Sequence, residues 1–271
     1  MMDNMLSLIR ELQFSDLKLP FSIYQSQCEQ KILDIPIAKP MCIFVVAGEK
    51  QFGEGFKLSC RKNQFIFFSE HSSVHIRNIP NEGEYVAILI EFDYLDFDML
   101  PRENSINKTD YFIGDVDGEI AMCLKQFFEI ATCSLADVCS LRRKELLLFL
   151  YHSGYRQVAS LIGRPTIKRK VHDMLISNKF REISMEKICA ELAMSESTLR
   201  RKLQLENTTM KQIKNSARLG FGLHLLQTTA KPIGLVSEEC GYQSQSRFTV
   251  GFKNRFGLTP SELRKTKQLS Q

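Results

Sequence analysis

The sequence predicts two domains of different class: a small antiparallel barrel or sandwich trailed by helices, then an all-helical unit with two helix-turn-helix motifs joined by a linker helix. Three observations predict this. A chain of 271 residues exceeds the ~100–200 residues usual for one compact domain. The hydrophobic period changes from strand-like to helical after Gly114. The charge is uneven, with 17 Lys and Arg against 22 Asp and Glu in residues 1–164 and 19 against 9 in residues 165–271, net −5 and net +10. A strongly basic segment joined to a mildly acidic one suits a polyanion-binding module attached to something else.

Taken in order, Lys31 to Phe97 favours β-structure: IPIAKPMCIFVVAG, QFIFF, VHIRNI and YVAILIEF are separated by turn-rich breaks at Gly48, Gly53 to Gly55, Arg61 to Asn63 and Asn81 to Gly83. Ile120, Leu124, Phe127, Phe128 and Ala131 then share one helical face, and Leu135 to Ile162 is a second, Leu-rich helix. Gly163-Arg164-Pro165 breaks helix and marks the domain boundary, giving units 1–164 and 165–271. Beyond it helices are expected over Ile167 to Asn178, Ser184 or Met185 to Leu192, Ser195 to Leu205 and Met210 to Thr228. Gly220 and Gly222 in the last of these indicate either close helix packing or a weak spot, since each costs about 1 kcal/mol relative to Ala. Pro232 suits the first turn of the helix that follows.

Ile233 to Arg264 carries the chemistry. It is a short amphipathic helix, a turn at Gly241, a second helix with polar residues at its exposed N-terminal end, and a Gly-Leu-Thr-Pro stop. Two short helices at a steep angle need such a turn, and the second can then enter a major groove. Ser184 to Leu203 repeats the layout. Ser195 and Ser244 are 49 residues apart, and the long helix between can hold two reading helices about one DNA turn, roughly 34 Å, apart.

At this point the residues resemble a known family, the AraC/XylS transcription regulators. The pattern is carried by Gly241, Tyr242, Ser244, Ser246, Phe248, Phe252, Lys253, Phe256, Gly257, Thr259, Pro260, Ser261, Glu262 and Arg264. Arg218, Leu219, Leu225, Leu226 and Thr228 match the linker, and Ile188, Leu192, Ser195, Leu199, Arg201 and Leu203 match the first motif more loosely. The resemblance covers about 100 C-terminal residues and is similar in detail to the enterobacterial virulence and acid-resistance regulators. It implies a cytoplasmic regulator, expected to be an activator, that binds double-stranded promoter DNA and acts on RNA polymerase. CRKNQFIFFSEHSSVHI also looks like the cupin-like jelly roll of the family's effector domains. Val250 stands where many members are basic and Gly222 where they have Ala, which implies fewer phosphate contacts and a looser linker helix.

Candidate base or groove contacts are Glu196, Ser197, Thr198 and Arg201 on the first reading helix, with Gln243, Gln245, Ser246, Arg247 and Thr249 around the second. Gln pairs with adenine edges and Arg with guanine. Arg200, Lys202 and Lys253 are candidate phosphate contacts, which position without specifying sequence. Leu199, Leu203, Phe248 and Phe252 are core.

No cofactor or metal is expected. His71 and His75 would lie about 13 Å apart on one strand face, and Cys133 and Cys139 fall on different faces of a helix. The eight cysteines lack zinc spacing and read as buried thiols. There is no signal-peptide pattern and no apolar run near 18 residues, so neither secretion nor a membrane span is expected. No G-x-S-x-G, P-loop, H-E-x-x-H or Rossmann pattern occurs, which argues against an enzyme. Two readings of the N-terminal unit stay open. It senses a small molecule, with fatty acids suggested by family analogy and Lys31, Lys39 and Arg77 as carboxylate-holding candidates, or it is an interaction surface for a protein partner or homodimer through the helix Leu141 to Ile162.

Overall fold

The computed structural model describes residues 2–13, 19–69, 71–101, 109–131, 135–161, 166–178, 180 and 183–267. After a first helix α1 (Met2–Gln13), the described residues of the N-terminal part form nine strands: β1 (Ser22–Ser26), β2 (Gln30–Ile37), β3 (Met41–Ala47), β4 (Glu49–Phe52), β5 (Leu58–Arg61), β6 (Gln64–Phe68), β7 (His71–Ile79), β8 (Tyr85–Glu91) and β9 (Tyr111–Asp115). They pair antiparallel in two sheets, β1-β8-β3-β6-β9 and β2-β7-β4-β5. Without the edge strand β9, this is the eight-strand double Greek key of a jelly roll.

The apolar runs in β3, β6 and β8 follow from what covers each sheet face. In the five-stranded sheet Cys42, Phe44, Val46, Phe65, Phe67, Ile88 and Ile90 point outward into a cluster with α1, α2 (Gly118–Ala131) and α3 (Ala136–His152). Met41, Ile43, Val45, Ile66, Phe68 and Leu89 point inward. A sheet covered on both faces loses polar alternation, and each fully buried Phe or Ile adds about 1.5–3 kcal/mol.

The Leu-rich helix ends earlier than the sequence suggests. Ser153 and Gly154, the latter at φ 97°, break α3, and a 3-10 turn over 156–161 follows. Leu146, Leu147 and Leu150 are buried within the chain, while Leu141 is exposed. The expected hinge at Gly163-Arg164-Pro165 lies outside the described residues.

The C-terminal part is helical throughout: α4 (Ile167–Ser177), α5 (Met185–Glu191), α6 (Glu196–Leu205), α7 (Met210–Thr228), α8 (Ile233–Glu239), α9 (Gln245–Phe256) and α10 (Pro260–Lys265). Pro232 is the N-cap of α8, one residue before its first turn. The linker α7 packs closely at both of its glycines. A Cβ at Gly222 would meet Phe248 Cε2 at 2.7 Å, and one at Gly220 would meet Pro36 Cγ at 2.9 Å. Both glycines mark close approach, one to α9 and one to the strand β2.

Two cores form here. Val171, Leu175, Phe180, Ile188, Leu199, Leu203, Ile213 and Ala217 make one among α4, α5, α6 and the front of α7. Leu219, Leu223, Leu226, Val236, Phe248, Phe252, Phe256 and Leu263 belong instead to the same cluster as the barrel interior. The second helix-turn-helix is thus packed as an extension of the jelly roll.

Candidate nucleic-acid interface and inter-domain cavity

Each reading helix is started by a serine. Ser195 Oγ accepts from Thr198 N and Ser244 Oγ from Arg247 N, at 3.3 and 3.4 Å, satisfying amides that the helix itself cannot. The turns differ in how they reach the left-handed region. Ala193 sits at φ 50° in the first and Gly241 at φ 74° in the second. Gly241 is also tightly surrounded, since a Cβ would lie 3.0 Å from Arg218 Nη2 and 3.1 Å from Phe180 Cβ, so both neighbours would have to give by a few tenths of an ångström. Behind both helices the apolar face is closed: Leu199, Leu203, Phe248 and Phe252 are all buried.

The outward faces carry the residues named from sequence. Glu196, Ser197, Arg200, Arg201 and Lys202 are exposed on α6, and Thr198 is half-buried beside the cap with Oγ1 2.9 Å from Ser195 Oγ. On and before α9, Gln243, Gln245, Ser246, Arg247 and Lys253 are exposed and Thr249 is half-buried. Glu196 holds Arg200 at 2.5 Å, an exposed i,i+4 pair worth about 0.3–0.5 kcal/mol that DNA phosphates could readily displace. Arg247 Nη1 donates to Gln243 Oε1 at 3.3 Å, so those two side chains form one polar unit at the entry of α9. Val250 is 60 % exposed on the same helix.

A further cationic surface was not read from sequence. Lys211, Lys214 and Arg218 of α7 line one concavity of about 620 Å³ with Thr209, Gln212, Asn215 and Tyr242. Arg218 lies over the Tyr242 ring at 5.8 Å and so ties the linker helix to the second turn. Their i, i+3, i+7 spacing, which puts them on one face, was the available signal.

An apolar cavity lies between the jelly roll and the helices α4 and α7. It measures about 590 Å³, inside the range of small-molecule sites. Ile37, Met41, Ile43, Phe68, Val74 and Ile76 line it from the strands, and Ile176, Phe221 and Leu223 from the helices. Its polar groups are few. Tyr24 Oη lies 3.2 Å from His224 Nδ1, with Glu91 close enough to act on both, and burial lowers the His224 pKa. Lys50 is 2 % exposed, and burial brings its ammonium down to about 7.

The three cations put forward as ligand contacts lie elsewhere. Lys31 is exposed over the Phe56 ring, Lys39 pairs with Asp93 at 2.9 Å, and Arg77 forms a forked pair with Glu29 at 2.7 and 2.8 Å. None lines the cavity. Lys50 was overlooked because a lysine in a four-residue strand reads as solvated; only the pairing that turns it inward beside Phe52 reveals it.

Among the described residues no group of three or more His, Cys, Asp or Glu is arranged to hold a metal, and no helix is long and apolar enough to cross a membrane. His75 Nδ1 accepts from Asp34 N at 2.9 Å; the His71 side chain and Cys133 lie outside the described residues. Cys42, Cys60, Cys123, Cys139 and Cys240 are buried, whereas Cys28 is exposed, because it falls in the turn between β1 and β2.

Comparison with known proteins bears on both surfaces. Residues 188–266 match the helix-turn-helix domain family. The transcriptional regulator GadX of Escherichia coli O6:H1 is 31 % identical over 126 residues, covering 44 % of this chain and 46 % of GadX. SirC of Salmonella typhimurium is 36 % identical over 101 residues, 37 % of this chain and 34 % of SirC. The matched segments thus span less than half the length of these curated relatives. In fold, the chain is similar to ToxT of Vibrio cholerae. An apo form superposes with a TM-score of 0.67 at 15 % identity, over 94 % of this chain and all of that one. A wild-type form with unsaturated fatty acid bound gives 0.66 at 13 %, over 93 % and 96 %.

Proposed function

We propose that the chain is a sequence-specific DNA-binding transcription regulator of the AraC type, a reading supported by the match of residues 188–266 to the helix-turn-helix domain family. The observation that carries this is the pair of Ser-capped helices, α6 and α9, each closed behind by buried Leu or Phe and each presenting Arg, Gln, Ser and Thr outward. Residues 165–271 act as the DNA-binding unit and 1–164 as the controlling one. Arg201 and Arg247, with Gln243 and Gln245, read base edges in successive major grooves; Arg200, Lys202, Lys253, Lys211 and Lys214 take phosphates. The bound protein then recruits RNA polymerase as an activator.

Footprinting on promoter fragments selected by the purified chain tests this. The expected outcome is two protected major grooves one turn apart, with affinity falling by about 0.9 decade per decade of salt for each phosphate neutralised. Arg247→Ala should cost about 1–3 kcal/mol on the selected site and relax discrimination there, whereas Lys253→Ala should weaken all sequences alike. A salt-independent affinity, or equal loss on every sequence for Arg247→Ala, contradicts the assignment.

The cavity favours a second element of the reading: control by an apolar small molecule. Its position between barrel and linker helix makes both domains part of one binding site, and ToxT, which shares the fold, is known with a fatty acid bound. A carboxylic acid of that kind is the proposed effector.

A further inference from the structure

Four polar side chains run in single file through the interior. Lys50 on β4 faces Asn78 on β7, and Asn78 faces Gln30 on β2, as direct cross-strand partners. All three are exposed by 2 % or less. Lys50 Nζ donates to Asn78 Oδ1 at 2.6 Å, Asn78 Nδ2 to Gln30 Oε1 at 3.1 Å, and Gln30 Nε2 to Thr266 Oγ1 at 2.7 Å. Thr266 Oγ1 ends the file on Leu263 O at 2.6 Å. The file begins in the cavity lining and finishes at the C-cap of α10, where Thr266 O also accepts from Gln27 N and Cys28 N.

The direction of every bond is set when Lys50 carries its proton. An ammonium has donors and no acceptor, so Asn78 then turns its oxygen to Lys50 and its amino group to Gln30. Gln30 must then offer its oxygen to Asn78 and keep its amino group for Thr266. Bonds of one sense polarise one another and strengthen together. The partners of Lys50 are neutral: its hydrogen bond goes to an amide and its Nζ lies 5.3 Å from the centre of the Tyr85 ring, whereas a cation in apolar surroundings is best stabilised by an anion. Glu91, the acid in the described lining, is exposed and acts on Tyr24 and His224.

We propose that Lys50 holds the head group of the cavity's ligand, a carboxylate on an apolar chain, and that drawing the ammonium from Asn78 to that carboxylate frees Gln30 from Thr266. Cavity occupancy is then read by the C-terminal cap of the second helix-turn-helix. The inference rests on the cavity being the effector site proposed above.

Calorimetry on the full chain with cis-9-hexadecenoic acid and the matching alcohol tests the anchor, and DNA affinity with and without the acid tests the relay. Wild type should bind the acid about tenfold more tightly than the alcohol, the worth of one charged hydrogen bond. Lys50→Met should bind the two alike. Asn78→Asp, which supplies an internal anion, should also lose the preference, so the result does not depend on one variant folding. Thr266→Val, half-buried and outside the cavity lining, should keep the preference while its DNA affinity stops responding to the acid, where wild type shifts by about fivefold or more. A wild type that binds neither probe removes the effector reading and the inference together. Acid preference surviving in Lys50→Met leaves the effector reading standing and overturns the anchor; a DNA response surviving in Thr266→Val overturns the relay.

Discussion

The first helix-turn-helix, α5 and α6, closes over a core of its own with α4 and the front of α7, whereas the second, α8 and α9, buries Phe248, Phe252 and Phe256 in the cluster that fills the barrel. The polar contacts follow the same division. Arg255 near the end of α9 lies 3.3 Å from Asp34 Oδ2 and donates to Asp34 O at 3.0 Å, and Thr266 receives Gln27, Cys28 and Gln30. On the first side, α4 reaches the barrel through Arg169, which donates to Ala38 O and pairs with Asp173. One layout repeated in sequence therefore sits in two mechanical settings. Among the described residues, a change inside the jelly roll reaches the second reader through continuous packing and the first through α4 and α7.

The largest effect that would break this contrast concerns the shared core. Phe252→Ala should cost about 3–5 kcal/mol and lower the stability of barrel and second reader together, while Leu199→Ala, at about 2–5 kcal/mol, should affect the first reader alone. Hydrogen exchange through a denaturant series measures both, and a barrel that keeps full protection in Phe252→Ala would show that the two are separate cores after all. Next in size, Arg255→Met leaves Asp34 without its partner and should loosen residues 245–256 by about 2 kcal/mol without touching 196–205. Equal deprotection of the two helices would mean that the pair does not fasten α9 selectively. The smallest test sharpens the comparison by removing what the units have in common. Ser195→Ala and Ser244→Ala should each cost about 1 kcal/mol, because a cap is a local interaction. A clearly larger loss at Ser244, seen in thermal melts, would extend the barrel's influence to the start of α9 as well as its end.

Much of this was readable in advance for physical reasons that particular residues show. Ser195 and Ser244 announce helix starts because orphan amides need an oxygen, and Gly241 announces the turn because its φ of 74° is strained for other residues. The strands β3, β6 and β8 are legible as unbroken apolar runs. Other elements were not: α1, β1 and β9 are short or of mixed polarity, and their burial comes from partners far away in sequence, as Ser22 to Ser26 pairing with Tyr85 to Leu89 illustrates. Lys50 and Arg77 are both strand residues of one charge. Pairing turns the first into the cavity and leaves the second on Glu29 at the surface.

By itself, then, the sequence determined what depends on local spacing: a basic C-terminal segment behind a mildly acidic one, short strands of a barrel or sandwich ahead of helices, two Ser-capped helices and the residues on their outer faces. Tertiary structure alone decided what depends on register and contact between distant segments. It made Gly220 and Gly222 sites of close approach, merged the second helix-turn-helix with the barrel core, and aligned Lys50, Asn78, Gln30 and Thr266 into one file. Residues up to 236 positions apart meet there because cross-strand pairing and side-chain burial, which no local pattern encodes, bring them within hydrogen-bond reach.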